Sequence, residues 1–155
     1  MTLKPELISP FLVAAAEVLR AETGSAVQRG PLALERSAVT SQEVTALVTL
    51  VGQVEGTVLF SMSSETALGL VSRMMGEEFQ RLDELVQSGI GELGNVIAGR
   101  AATKLSKMGL ECTISVPTLI IGHGTVISTL DFQRLMVPLE TELGDIQVHL
   151  AIREC

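Results

Sequence analysis

The chain has 155 residues, 46% of them hydrophobic and 19% charged, with a mean hydropathy of +0.42. That is enough length and apolar material for one buried core, and far from the composition of a disordered segment. Eleven Lys and Arg against 18 Asp and Glu leave a net charge of −7, so neither nucleic acid nor an anionic membrane is an expected partner.

Four Phe with no Trp or Tyr also remove the stacking platforms that single-stranded nucleic acids use. Two cysteines, Cys112 and Cys155, do not make a disulfide framework, and reduced thiols in a cytoplasm are expected. The run Phe11–Ala16 is too short, and too closely flanked by Glu6, Pro10 and Glu17, for a signal peptide. The charge-free stretch from Cys112 to Leu130 is broken by Pro117, Gly122 and Gly124 and reads as strands, not as a membrane span.

Ser9-Pro10 predicts the start of a first helix, Ser as N-cap and Pro as first helical residue, with Phe11, Leu12, Ala15, Val18 and Leu19 on one face up to Gly24. Strand-like segments follow: a short one ending near Glu35, then Glu43 to Val51 and Gly56 to Met62, the last two a hairpin turning through Gly52…Gly56. Ser63 or Ser64 caps a second helix that ends at Gly76, and Glu77 to Asp83 is a polar connector. The longest helix is predicted from Asp83 to Lys107, because Val86, Ile90, Leu93, Ile97, Ala101 and Leu105 keep a 3-to-4 residue spacing until Gly109. Strands are then expected at 112–116, 119–121, 125–130, 134–139 and 146–152.

The expected fold is therefore α+β: a single domain over residues 1–155 with helices packed on a largely antiparallel sheet. Residues 9–62 and 83–152 each read as a helix followed by strands. This repetition is compatible with an internal duplication, although residue identity between the halves does not establish one.

On the long helix, Ser88, Glu92, Asn95, Gly99 and Ser106 fall on one narrow arc at about 100° per residue, opposite the apolar stripe. Glu92 and Asn95 stand about 5 to 6 Å apart at Cβ on neighbouring turns. Gly99 leaves room for a close approach. Four glycines, at 89, 91, 94 and 99, are a costly content for a helix interior and call for a packing or docking reason. Periodicity alone is equally served by Glu92 and Asn95 as solvated residues on an exposed face. His123 and His149 have no partner at zinc spacing, and Ser61, Ser63 and Ser64 have no paired His or elbow glycines, so neither a metal site nor a nucleophilic serine is expected. Cys112 and the methionines read as core filling.

The stretch Ser88-Gly-Ile-Gly-Glu92-Leu-Gly-Asn95-Val-Ile-Ala-Gly99, followed by Ser115-Val-Pro117-Thr118, resembles the signature of the CheC/CheX/FliY family of chemotaxis phosphatases, and within it most nearly CheX. A looser similarity includes Ser9–Leu12, the Val51–Val58 hairpin and Glu65–Glu78, so it runs through most of the chain in order. The resemblance implies a CheC-like fold and removal of the phosphoryl group from the aspartate of a CheY-type response regulator. Glu92 and Asn95 match the family's catalytic pair, in which the Asn orients the attacking water and the Glu pairs with a regulator lysine. Ser88 and Gly99 would flank them as partner contacts. No cofactor of its own is implied, since Mg²⁺ comes with the regulator. A homodimer is expected, and one motif in the chain favours the CheX arrangement over the two-site CheC one. A non-catalytic module docking on a regulator or on the flagellar switch is the alternative. Two departures from the family pattern carry expectations: Gly91 and Gly94 predict a loosened docking surface, and Arg100 predicts a cation beside the site.

Overall fold

The structure, a computed structural model, describes residues 4–35, 38–40 (backbone only), 42–122, 124–128 and 133–155. Its first helix, α1 (Pro5–Thr23), begins a turn earlier than Ser9-Pro10 suggests. Pro5 occupies the first turn, where a missing N–H costs nothing, and Pro10 lies inside the helix. The early start buries Leu7 and Ile8, at roughly 1.5 to 3 kcal/mol each, which offsets the single hydrogen bond that Pro10 forfeits. Gly24 ends the helix at φ 73°, its N–H donating to the Arg20 carbonyl.

Short strands β1 (Val27–Arg29), β2 (Ala33–Glu35) and β3 (Ala38–Thr40) lead into the long hairpin of β4 (Val44–Gly52) and β5 (Val54–Met62). The hairpin reverses at Gln53, and Gly56 is not part of the turn: it pairs with Leu50 on one side and Ile152 on the other. With φ 136° and the Ala151 carbonyl against it, Gly56 has no room for a Cβ. Helix α2 (Ser64–Met75) is capped by Ser63, whose Oγ accepts the Thr66 N–H at 3.1 Å, and closes on Gly76. Helix α3 (Glu84–Lys107) is capped by the Asp83 carboxylate, which accepts the Val86 N–H at 2.9 Å. Beyond it come β6 (Cys112–Ile114), β7 (Thr118–Ile121), β8 (Val126–Ser128), β9 (Arg134–Thr141) and β10 (Gly144–Glu154).

Every strand pairing is antiparallel, in the order β1-β9-β10-β5-β4-β6, with β2 also on β9, β7 also on β4, and β3 paired to β8 as a separate ribbon. The three helices cover one face. Val44, Ala46, Leu50, Val58, Phe60, Val148 and Leu150 alternate toward them and join Phe11, Leu19, Val71, Ile90 and Ile97 in one apolar core. The other face is also buried in the middle: Thr45 and Ser61 hydrogen-bond through their hydroxyls at 2.8 Å, and Leu59, Arg134 and His149 lie beneath the surface. The fold is the α+β arrangement expected. The helix-then-hairpin order does recur in the two halves, but α2 falls between them and the arrangement does not establish a duplication.

Candidate functional site

An open groove of about 720 Å³ runs along the first half of α3. One wall is the helix itself, from Glu84 and Gln87 through Ser88 and Gly91 to Glu92 and Asn95; the other is the Ile114–Pro117 stretch with Leu119. Helical geometry explains the first wall. The apolar residues of α3 turn toward the sheet, so the polar arc must face away from it. Glu92 is exposed and Asn95 half-buried. Within the described residues neither side chain makes a hydrogen bond or ion pair, and the same is true of Ser88 and Glu84. Gln87 is engaged, donating from Nε2 to the Leu82 carbonyl at 2.9 Å.

Ser88, Glu92 and Asn95 are thus brought together as the spacing predicts. Gly99 is not: one turn beyond, it lies outside the groove, where a Cβ would meet the Ile114 Cδ1 at 3.7 Å. Gly89 and Gly94 are explained by packing. A Cβ at Gly94 would stand 3.3 Å from that of Ala46 and 3.5 Å from the Phe60 ring, and one at Gly89 about 3 Å from both methyls of Val71. These two glycines let α3 seat on the sheet and on α2, so Gly94 does not loosen the docking surface; Gly91 alone opens onto the groove, with nothing within 4 Å of its Cβ position.

Arg100 also departs from its expectation. Its guanidinium lies 3.6 Å from Glu17 of α1, which Lys104 approaches at 3.2 Å. The Lys104 ammonium, ahead of Arg100, holds the Glu17 carboxyl below the usual carboxylate range. Eight residues separate Arg100 from Glu92, about 12 Å of helix rise, and among the described residues no Lys or Arg lines the groove.

Glu84 and Gln87 have no signal in the sequence, and Val116 and Pro117 enter only as part of the family signature, with no role of their own. The further signal is Pro117 between two strand-like runs, which marks an edge or a bulge. Of the histidines, His123 lies outside the described residues. His149 is 2% exposed, and its Nδ1 sits 3.3 Å from Glu35 Oε1 without hydrogen-bonding geometry. Burial pushes its pKa down to about 4, against the opposing pull of the Glu35 carboxylate. Burial likewise raises the Cys112 thiol. Among the described residues no group of three or more His, Cys, Asp or Glu is gathered to hold a metal, and no helix is long and apolar enough to cross a membrane.

Comparison with known proteins shows the family. The chemotaxis phosphatase CheX family matches residues 44–140. The CheY-P phosphatase CheX of Thermotoga maritima is 41% identical over 113 residues, 70% of this chain and 72% of that protein. A CheC-like superfamily protein from Shewanella sp. PV-4 superimposes with a TM-score of 0.89 at 25% identity, over 97% of this chain and 99% of that one. The matching chain of the CheX–CheY–BeF3–Mg²⁺ complex from Borrelia burgdorferi does so at 0.83 and 33% identity, over 97% and 100%. Sequence match and fold converge: this chain belongs to the CheX family of chemotaxis phosphatases.

Proposed function

We propose that this chain speeds the loss of phosphate from the aspartyl-phosphate of a CheY-type response regulator, with Asn95 and Glu92 as the residues that do so. The observation that carries the reading is the pair itself, one turn apart, free of partners among the described residues and on the wall of an open groove. The relatives named above include one called a CheY-P phosphatase and one solved with CheY, BeF3 and Mg²⁺.

In the proposed step a water attacks the phosphorus, the bond from phosphorus to the aspartyl oxygen breaks, and inorganic phosphate and a free aspartate result. Such a transfer asks mainly for positioning and electrostatic support. The Asn95 carboxamide can accept from the water with its oxygen and donate to a phosphoryl oxygen with its nitrogen, which sets the water in line. Glu92 holds a lysine of the regulator, with Ser88 beside it. No residue of this chain is asked to hold a metal: Mg²⁺ would come with the regulator and would there neutralise charge on the phosphoryl group. A stimulation on the order of 100-fold needs only about 2.7 kcal/mol. The protein is read as one domain acting in the cytoplasm, and as a homodimer.

The test is the lifetime of phosphorylated Thermotoga maritima and Borrelia burgdorferi CheY with this protein and with its Asn95→Ala variant. Faster loss with the wild type alone is expected. Equal decay with both, with binding retained, would instead make the protein a docking module.

A further inference from the structure

Two strands that follow one another along the same edge of β4 go out of step between Ile114 and Thr118. Leu50 pairs with Ile114, and Leu47 with Thr118. Val48 and Thr49 therefore face three residues, Ser115, Val116 and Pro117. One extra residue on an edge strand is a bulge, a device that re-aims a side chain and recurs beside active sites. This bulge is clamped on one side: the Ser115 N–H donates to the Thr49 carbonyl, and the Thr49 N–H donates to Ser115 Oγ, both at 2.9 Å. On the other side Pro117 has a fixed φ and no N–H left unpaired.

The product is Val116, a stiff apolar side chain that is 86% exposed at the rim of the groove. Across the groove stand the carboxylates of Glu84 and Glu92, without a partner among the described residues, none of which places a cation in the space between. An apolar post facing an acidic wall fits a protein surface that offers an aliphatic side chain beside a cation. It does not fit an anionic lipid surface, and a second copy related by a two-fold axis would bring its own acidic wall against this one.

We propose that Val116 is the apolar anchor on which the phosphorylated response regulator docks, a specificity-determining residue for the reaction. This rests on the phosphatase reading above and adds to it a division of labour: Asn95 does the chemistry, and the bulge adds apolar affinity to the charge contact of Glu92.

Val116→Ser and Val116→Ile test it. Affinity is read with Borrelia burgdorferi CheY carrying BeF3 and Mg²⁺, and turnover with phosphorylated Thermotoga maritima and Borrelia burgdorferi CheY. Val116→Ser is expected to raise Kd and KM about tenfold, equivalent to about 1.4 kcal/mol, with the loss vanishing at saturation. Val116→Ile is expected to restore both. Asn95→Ala should lose turnover while keeping affinity. Unchanged Kd and KM in Val116→Ser overturn the anchor. So does a change of oligomeric state by light scattering in that variant, since Val116 would then join copies of this chain. A wild type that leaves both phosphorylated regulators unaffected refutes the phosphatase reading itself, a result separate from either.

Discussion

Two glycines two residues apart on α3 should respond in opposite directions to the same substitution. At Gly91 an alanine methyl meets nothing within 4 Å, so Gly91→Ala gains the full helix-propensity difference of roughly 0.5 to 1 kcal/mol. At Gly89 the same methyl would lie 3.0 and 3.1 Å from the two γ-carbons of Val71, which is wholly buried on α2. A β-branched side chain cannot swing its methyls aside in a helix, so α2 and α3 must separate. Overpacking of that kind costs about 1 to 3 kcal/mol, against which the propensity gain is small. The two variants should differ by about 1 to 3 kcal/mol. In a chain of this length 1 kcal/mol moves the Tm by about 2 to 4 °C, so Gly91→Ala rises by a few degrees and Gly89→Ala falls. Urea unfolding with an unchanged m-value checks that the effect is on stability. Since Gly91 lines the groove, Gly91→Ala should also lose phosphatase activity while gaining stability. A destabilised Gly91→Ala, or a Gly89→Ala as stable as the wild type, would refute the assignment of these glycines.

Three further outcomes follow from particular contacts. His149 is driven from an ordinary 6.5 to about 4 by burial, so the unfolded chain binds the extra proton between those values. Stability is then full above pH 6.5 and falls as pH drops toward 4, by on the order of 3 kcal/mol in total; His149→Gln, followed by urea unfolding at several pH values, should flatten that slope. Ser115→Ala removes the hydroxyl that accepts from Thr49 and should cost about 1 kcal/mol in melting experiments, raising KM for phosphorylated CheY more than it lowers kcat. Glu17→Gln releases Arg100 and Lys104 from their shared partner. Because the group is exposed, its melting temperature should be little changed, and stronger salt dependence of CheY binding is not expected.

The fold arises from a division of the chain into faces. Alternation along β4, β5 and β10 gives the sheet an apolar side, and the 3-to-4 residue stripe of α3 supplies the layer that covers it. Ser106, at the far end of the polar arc of α3, is held by Glu111, but Ser88, Glu92 and Asn95 are left without a side-chain partner among the described residues, which is why Glu92 and Asn95 stand free at a groove wall.

Local periodicity and caps were legible in the residues: the extent of α3 from Asp83, the Ser63 cap, the Gly76 stop and the shared face of Ser88, Glu92 and Asn95 all depend on neighbours within a turn or two. The start of α1 was not, because Pro5 and Pro10 are both admissible first-turn prolines and the choice rests on where Leu7 and Ile8 find a core to enter. Gly56 looked like a turn residue for the same reason, since its need for glycine comes from the Ala151 carbonyl on β10, far away in the chain. Arg100 and Gly94 acquired their roles from Glu17, Ala46 and Phe60. The second wall of the groove depends most on distant parts of the chain: the extra residue at Ser115–Pro117 exists only relative to the register of β4, more than sixty residues earlier, and register is a property of paired strands that no single stretch of residues contains.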